Sequence, residues 1–72
     1  MTDADLMTRL ARVADKHFDG HFTAMKFTNN WRVGFGTPET RRDIDGLSEG
    51  KTFAEAAERA LNAFRAGTIP ED

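Results

Sequence analysis

The segment from Gly46 to Thr52 is the first place where this sequence could do chemistry, because it combines glycines with Lys51 and Thr52 like a phosphate-binding loop. That loop needs four residues between its glycines, and only three separate Gly46 from Gly50. Thr52 is also followed three residues later by Glu55. This spacing is a capping box, in which each side chain bonds a free backbone amide at the helix start. We therefore predict a helix start here and no phosphate site.

A short acidic stretch precedes that segment and resembles part of a calcium loop. If Gly46 took the sixth loop position, Asp43 and Asp45 would fall inside the loop. Arg41 would then be the first ligand and Thr52 the twelfth, where calcium loops carry acidic residues. We interpret the acidic pair as a solvated turn.

The remaining nucleophiles and metal ligands do not form a catalytic pattern. His17 and His21 lie four residues apart, but Asp19-Gly20 between them is a helix stop, so they would not share a helical face. Ser48 is the only serine and there is no cysteine. We predict no catalytic residues, no metal site, no cofactor and no enzymatic activity.

The composition favours a small globular domain. The chain has 72 residues, 39% of them apolar, a net charge of −2 and a pI near 5.6. This charge gives no general attraction to nucleic acid or anionic lipid, and no apolar run approaches the length of a membrane span. The acidic N-terminus lacks the positive start of a secretory signal, so we expect a cytoplasmic protein.

Two amphipathic helices frame the chain. The first is predicted over residues 3–18, capped by Thr2 or Asp3 and ended by Asp19-Gly20. The second is predicted over residues 53–66, with Gly67 and Pro70 ending it and residues 67–72 forming a flexible tail. The apolar stripes that predict them are Leu6, Leu10, Val13 and Ala14 in the first helix and Phe53, Ala56, Ala57, Ala60, Leu61 and Phe64 in the second.

A β-hairpin is predicted between these helices, with strands 21–28 and 31–36 around Asn29-Asn30. A two-residue loop would place Thr28 opposite Trp31, and a three-residue loop would place Phe27 there. We prefer the second register, with Asn30 in the left-handed conformation, because it puts the larger apolar side chains on one face. The members of that face are Thr23, Met25, Phe27, Trp31, Val33 and Phe35. A third strand is predicted within residues 41–47 around Ile44.

In this register the opposite face of the hairpin, together with a mobile segment over residues 37–45, is the candidate binding surface. Lys26 would lie directly opposite Arg32, with Phe22 beside them. A cation and an aromatic ring on a flat sheet are features of single-stranded nucleic-acid surfaces. The same face would also accept a second copy or another protein, and the plain alternative is a solvated face.

The C-terminal segment resembles two known families. Residues 50–61 look like the Gly-x-Thr-x-x-Glu-Ala segment of HicB-type antitoxins, and the hairpin before it extends this similarity over residues 21–66. The order and length also resemble a double-stranded-RNA-binding domain. That family opens its last helix with lysines, whereas Glu55 and Glu58 stand here and would repel phosphates. Short α-β-β-(β)-α domains of bacteria and phages have the same pattern.

We therefore expect residues 1–72 to form one α+β domain with two layers, in which both helices pack on one face of a small antiparallel sheet. The expected function is non-enzymatic binding or regulation through protein contacts or self-association. The alternative is a weak nucleic-acid-binding or antitoxin-like module that uses the open sheet face.

Overall fold

The computed structural model describes residues 2–65 and begins with helix α1, Asp3–His17. The Thr2 hydroxyl accepts a hydrogen bond from the Asp5 amide, and the Asp5 carboxylate accepts one from the Thr2 amide. The helix ends where Asp19 and Gly20 adopt φ values of 56° and 83° and the Gly20 amide bonds the Ala14 carbonyl oxygen at 2.9 Å. The predicted first helix and its stop are confirmed.

A three-stranded antiparallel sheet follows, in the order β1 (Phe22–Lys26), β2 (Trp31–Phe35) and β3 (Ser48–Gly50). The predicted hairpin exists, but its preferred register is wrong by one residue, because Lys26 and not Phe27 lies opposite Trp31. Residues 27–30 form the loop, closed by a 2.7 Å bond from the Phe27 amide to the Asn30 carbonyl oxygen. Asn30 is not in the left-handed conformation that we predicted for it.

The predicted third strand is wrong in position, because residues 41–45 form a short helix, α2 (Arg41–Asp45). Thr40 and Asp43 make a second capping box: the Thr40 hydroxyl accepts from the Asp43 amide, and the Asp43 carboxylate accepts from the Thr40 amide. Capping of this kind favours a helix over a strand. The third strand lies after it, with Gly50 paired to Trp31.

Helix α3, Phe53–Arg65, packs with α1 on one face of the sheet and confirms the α+β fold. The short helix α2 lies on the other face, which the two-layer prediction left uncovered. Our predicted end at residue 66 and the tail 67–72 lie outside the described residues. The shared core includes side chains from both helices and from β2. Its buried members are Leu6, Leu10, Val33, Phe53, Ala56, Ala57, Ala60 and Leu61. Alternation along β2 then directs Arg32 to the other face, where α2 lies.

Candidate functional site

The three side chains predicted to form a binding surface do not lie on one face. Phe22 pairs with Phe35 and packs against the core on the helix side. Lys26 is also on that side, opposite Trp31, and its ammonium bonds the Phe27 carbonyl oxygen at 2.6 Å. Only Arg32 points outward. A shift of one residue in register exchanges the two faces of a strand, so the grouping of Phe22 and Lys26 with Arg32 is wrong.

Arg32 holds α2 against the outer face of the sheet. One guanidinium nitrogen lies 3.4 Å from the Ile44 carbonyl oxygen and 3.3 Å from the Asp45 carboxylate. The other lies 3.7 Å from the Glu49 carboxylate. The guanidinium carbon is also 5.2 Å from the centre of the Phe27 ring. With 23% of its side chain exposed, Arg32 is largely committed to contacts within the chain.

An open groove runs beside Arg32 between the sheet and α2, and we call it the outer groove. Its volume is about 640 Å³. Its lining residues come from β1, the hairpin loop, β2 and the α2 segment. They are Met25, Phe27, Arg32, Pro38, Glu39, Thr40, Arg41, Ile44 and Asp45. Phe27 is 37% exposed and is one of the large apolar side chains that face solvent. The groove therefore offers apolar contact area with charged residues along it.

The charges along the outer groove are balanced. Arg32 and Arg41 stand against Glu39 and Asp45. At the start of α2, backbone amides of Glu39 and Thr40 donate to the Asp43 carboxylate and lower the pKa of Asp43. This arrangement does not concentrate positive potential for a phosphate backbone.

Sequence reasoning missed α2 and missed Met25 and Phe27 as groove residues, although the segment 37–45 that it included in the candidate surface does line the groove. Two signals could have found them. The spacing of Thr40 and Asp43 matches that of Thr52 and Glu55, the pattern that predicted α3. A loop over residues 27–30 would have placed Met25 beside Arg32.

The segment that resembled a phosphate loop is a helix cap. The Thr52 hydroxyl accepts from the Glu55 amide at 3.1 Å, and the Glu55 carboxylate accepts from the Lys51 amide at 2.9 Å. Gly50 packs directly against the first turn of α3. The predicted helix start is therefore confirmed, but only half of the predicted capping box forms, because the Glu55 carboxylate accepts from the Lys51 amide and not from the Thr52 amide.

The histidines have separate surroundings. The ring of His17 lies 5.0 Å from that of Phe64, while His21 is exposed beyond the end of α1. Residues 2–65 contain no group of three or more metal-ligating side chains. None of the helices in this part of the chain is long and apolar enough to cross a membrane.

Comparison with protein-family models, with characterised proteins and with solved structures found no match to this chain. The similarities to HicB-type antitoxins and to double-stranded-RNA-binding domains therefore stay hypotheses.

Proposed function

We propose that this protein is a small non-enzymatic binding or regulatory module that acts through protein contacts made at the outer groove. The observation that carries the proposal is an exposed apolar groove whose central cation, Arg32, is already paired with Asp45 and Glu49. An apolar side chain of a partner placed against Phe27 would remove both surfaces from water. A bacterial cytoplasm and an antitoxin-like role are compatible settings for such a module.

The pairing of Arg32 with two carboxylates favours a protein partner over a nucleic acid. A cation that binds phosphate must be available to exchange its counterions for the backbone, and this guanidinium faces two carboxylates instead. Lys26, the other cation expected on this surface, lies on the opposite side of the sheet. The groove has an aromatic ring for stacking but no excess of positive charge.

The two carboxyls whose pKa is lowered have a structural role. The Asp5 pKa is lowered by hydrogen bonds from the Thr2 amide and hydroxyl, and the Asp43 pKa by the amides of Glu39 and Thr40. Both carboxyls are exposed helix caps. A lowered pKa keeps them ionised at neutral pH, whereas a general acid or base works best with a pKa close to the operating pH.

The test compares Phe27→Glu with Thr28→Glu, which adds the same charge at an exposed neighbouring position outside the groove lining. Each variant and the wild-type chain would be used to capture partners from the native cell, and captured proteins would be re-bound in purified form. We expect Phe27→Glu to weaken a direct protein contact about tenfold or more, because burying a large apolar side chain contributes roughly 1.5–3 kcal/mol. Thr28→Glu should bind as the wild type does.

The same proteins would be titrated with DNA and RNA oligonucleotides at low salt while the groove amides are followed by NMR. We expect no shift at Met25, Phe27 or Ile44. Salt-sensitive shifts there, or protein binding that Phe27→Glu leaves intact, would overturn the proposal.

A further inference from the structure

Strand β1 has a free edge whose hydrogen-bonding groups can be assigned. The Phe27 amide donates to the Asn30 carbonyl oxygen, and the Gly36 amide donates to the His21 carbonyl oxygen. At both ends of the hairpin, these residues therefore direct their backbone groups toward the neighbouring strand. In an antiparallel pair this direction alternates along each strand. Every second residue of β1 therefore turns its N–H and C=O away from β2. These outward-facing residues are Phe22, Ala24 and Lys26.

The opposite edge of the sheet is protected. Glu49 is the residue of β3 whose backbone groups point outward, and its carbonyl oxygen accepts a 2.7 Å bond from the Arg59 guanidinium. No side chain within residues 2–65 makes an equivalent bond to the outward groups of β1, and Ala24 and Lys26 are exposed. Proteins usually cover or interrupt such an edge because it can pair with another strand.

We propose that β1 pairs with β1 of a second copy of this chain, in antiparallel orientation and with the two-fold axis at Ala24. In this register each outward N–H and C=O of β1 meets its complement on the other copy. Phe22 lies opposite Lys26 of the second copy, which places an ammonium beside a ring and separates the two lysines. An axis at Lys26 would oppose like charges, and an axis at Phe22 would leave most of the outward groups unpaired.

An exposed apolar patch at the axis favours a second copy over an unrelated strand. Met7 of α1 is 45% exposed and lines one concavity with Ala24, Trp31 and Phe53, and Asp3 lies at the same concavity. Because Ala24 lies on the axis, pairing would bring the two Met7 side chains together and shield both from water. A bound peptide strand would complete the hydrogen bonds but would not supply a second α1.

This dimer goes beyond the proposed function and is independent of it. Phe22, Ala24 and Met7 lie on the helix side, whereas Met25 and Phe27 line the outer groove on the opposite side. Pairing through the edge leaves the groove open to a partner. Failure of one proposal would therefore leave the other standing.

The test measures sedimentation equilibrium of the full chain and, in parallel, amide exchange as a function of concentration. We expect a reversible shift from 8.0 kDa toward twice that mass, with protection of the Phe22, Ala24 and Lys26 amides rising together. Ala24→Pro removes an outward donor from each copy without breaking the β1–β2 ladder, since proline is tolerated on an edge strand. It should raise the dimer dissociation constant about tenfold or more.

Glu49→Pro is the matched control, because it removes an outward amide from the other edge and should leave the dimer unchanged. Met7→Glu is a second variant, at an exposed helix position that folding does not require to be apolar, and it should weaken the dimer through the axis. A chain that stays monomeric at millimolar concentration would refute the proposal. So would a dimer that Ala24→Pro and Glu49→Pro affect equally, or one whose protected amides lie outside β1.

Discussion

Replacing Gly50 by alanine should lower the free energy of unfolding strongly, because Gly50 lies where β3 contacts α3. A Cβ built at Gly50 would overlap the backbone nitrogen of Ala56 and lie 2.9 Å from the carbonyl carbon of Glu55. Both atoms belong to the first turn of α3, so they cannot move aside as a flexible side chain would. Gly50→Ala must therefore push the helix away from the strand.

The expected loss follows from the overpacking involved. Adding a methyl group to a filled site costs about 1–3 kcal/mol, and contact with backbone places this case toward the upper end. For a domain of this size, each kcal/mol lowers the midpoint of thermal unfolding by about 4–8 °C. We expect Gly50→Ala to unfold roughly 10–20 °C below the wild type.

Gly46→Ala is the matched control for Gly50→Ala. A Cβ at Gly46 would lie 3.5 Å from the Asp43 carbonyl oxygen, an ordinary contact, and the residue has right-handed helical φ and ψ. The free energy of unfolding of the Gly46→Ala variant should differ from that of the wild type by no more than about 0.5 kcal/mol.

Urea unfolding followed by the fluorescence of Trp31, whose ring packs 5.7 Å from that of Phe53, measures both variants. Equal stability of the two would show that β3 does not approach α3 as closely as we describe. Stabilisation of the wild type by millimolar inorganic phosphate would show that Gly50 serves a ligand instead.

Two further predictions concern α2. Arg32→Met keeps the side-chain stem but removes the charge that contacts α2. Amide exchange over residues 41–45 should therefore accelerate, while the global free energy of unfolding falls by less than about 1 kcal/mol. Unchanged exchange in α2 would contradict the role given to Arg32. The amides of Glu39 and Thr40 lower the pKa of Asp43 in the folded chain. The ionised Asp43 carboxylate therefore stabilises the start of α2 fully above pH 3.8, the usual carboxyl pKa, and this stabilisation is lost as the pH falls through the lower pKa of the folded state. The Thr40 amide resonance should therefore titrate with a midpoint below 3.8, and Asp43→Asn should remove that titration; a midpoint at or above 3.8 would count against the cap.

Local chemistry explains which parts of the fold were predictable. A helix start depends on a few neighbouring residues, so Thr52 with Glu55 located α3 correctly. The stop of α1 at Asp19-Gly20 is equally local, because it depends on the backbone conformation of those two residues. The same rule applied to Thr40 with Asp43 would have identified α2, which the strand-forming Ile44 obscured.

Register is not local, and this is why the candidate site was predicted incorrectly. Neighbouring registers of a hairpin differ by one residue in the loop, but they place opposite sets of side chains beneath the helices. The observed loop over residues 27–30 moves Phe22 and Lys26 to the helix side and turns Met25 and Phe27 outward. Arg32 keeps its face, because the β2 strand was oriented correctly.

The physical reason for the error is that both faces of the sheet are covered. Our preference for the register with Phe27 opposite Trp31 assumed one buried face and one solvated face. The outer face instead has its own apolar cover from the α2 segment, where Leu47 packs directly onto Gly34 and Ile44 lines the groove beside Met25. Apolar side chains of β1 can therefore face outward at little cost, and the helix side can accept the small Ala24. The covering segment at residues 37–47 thus determines both the register and the composition of the outer groove, so a prediction of either must begin with α2.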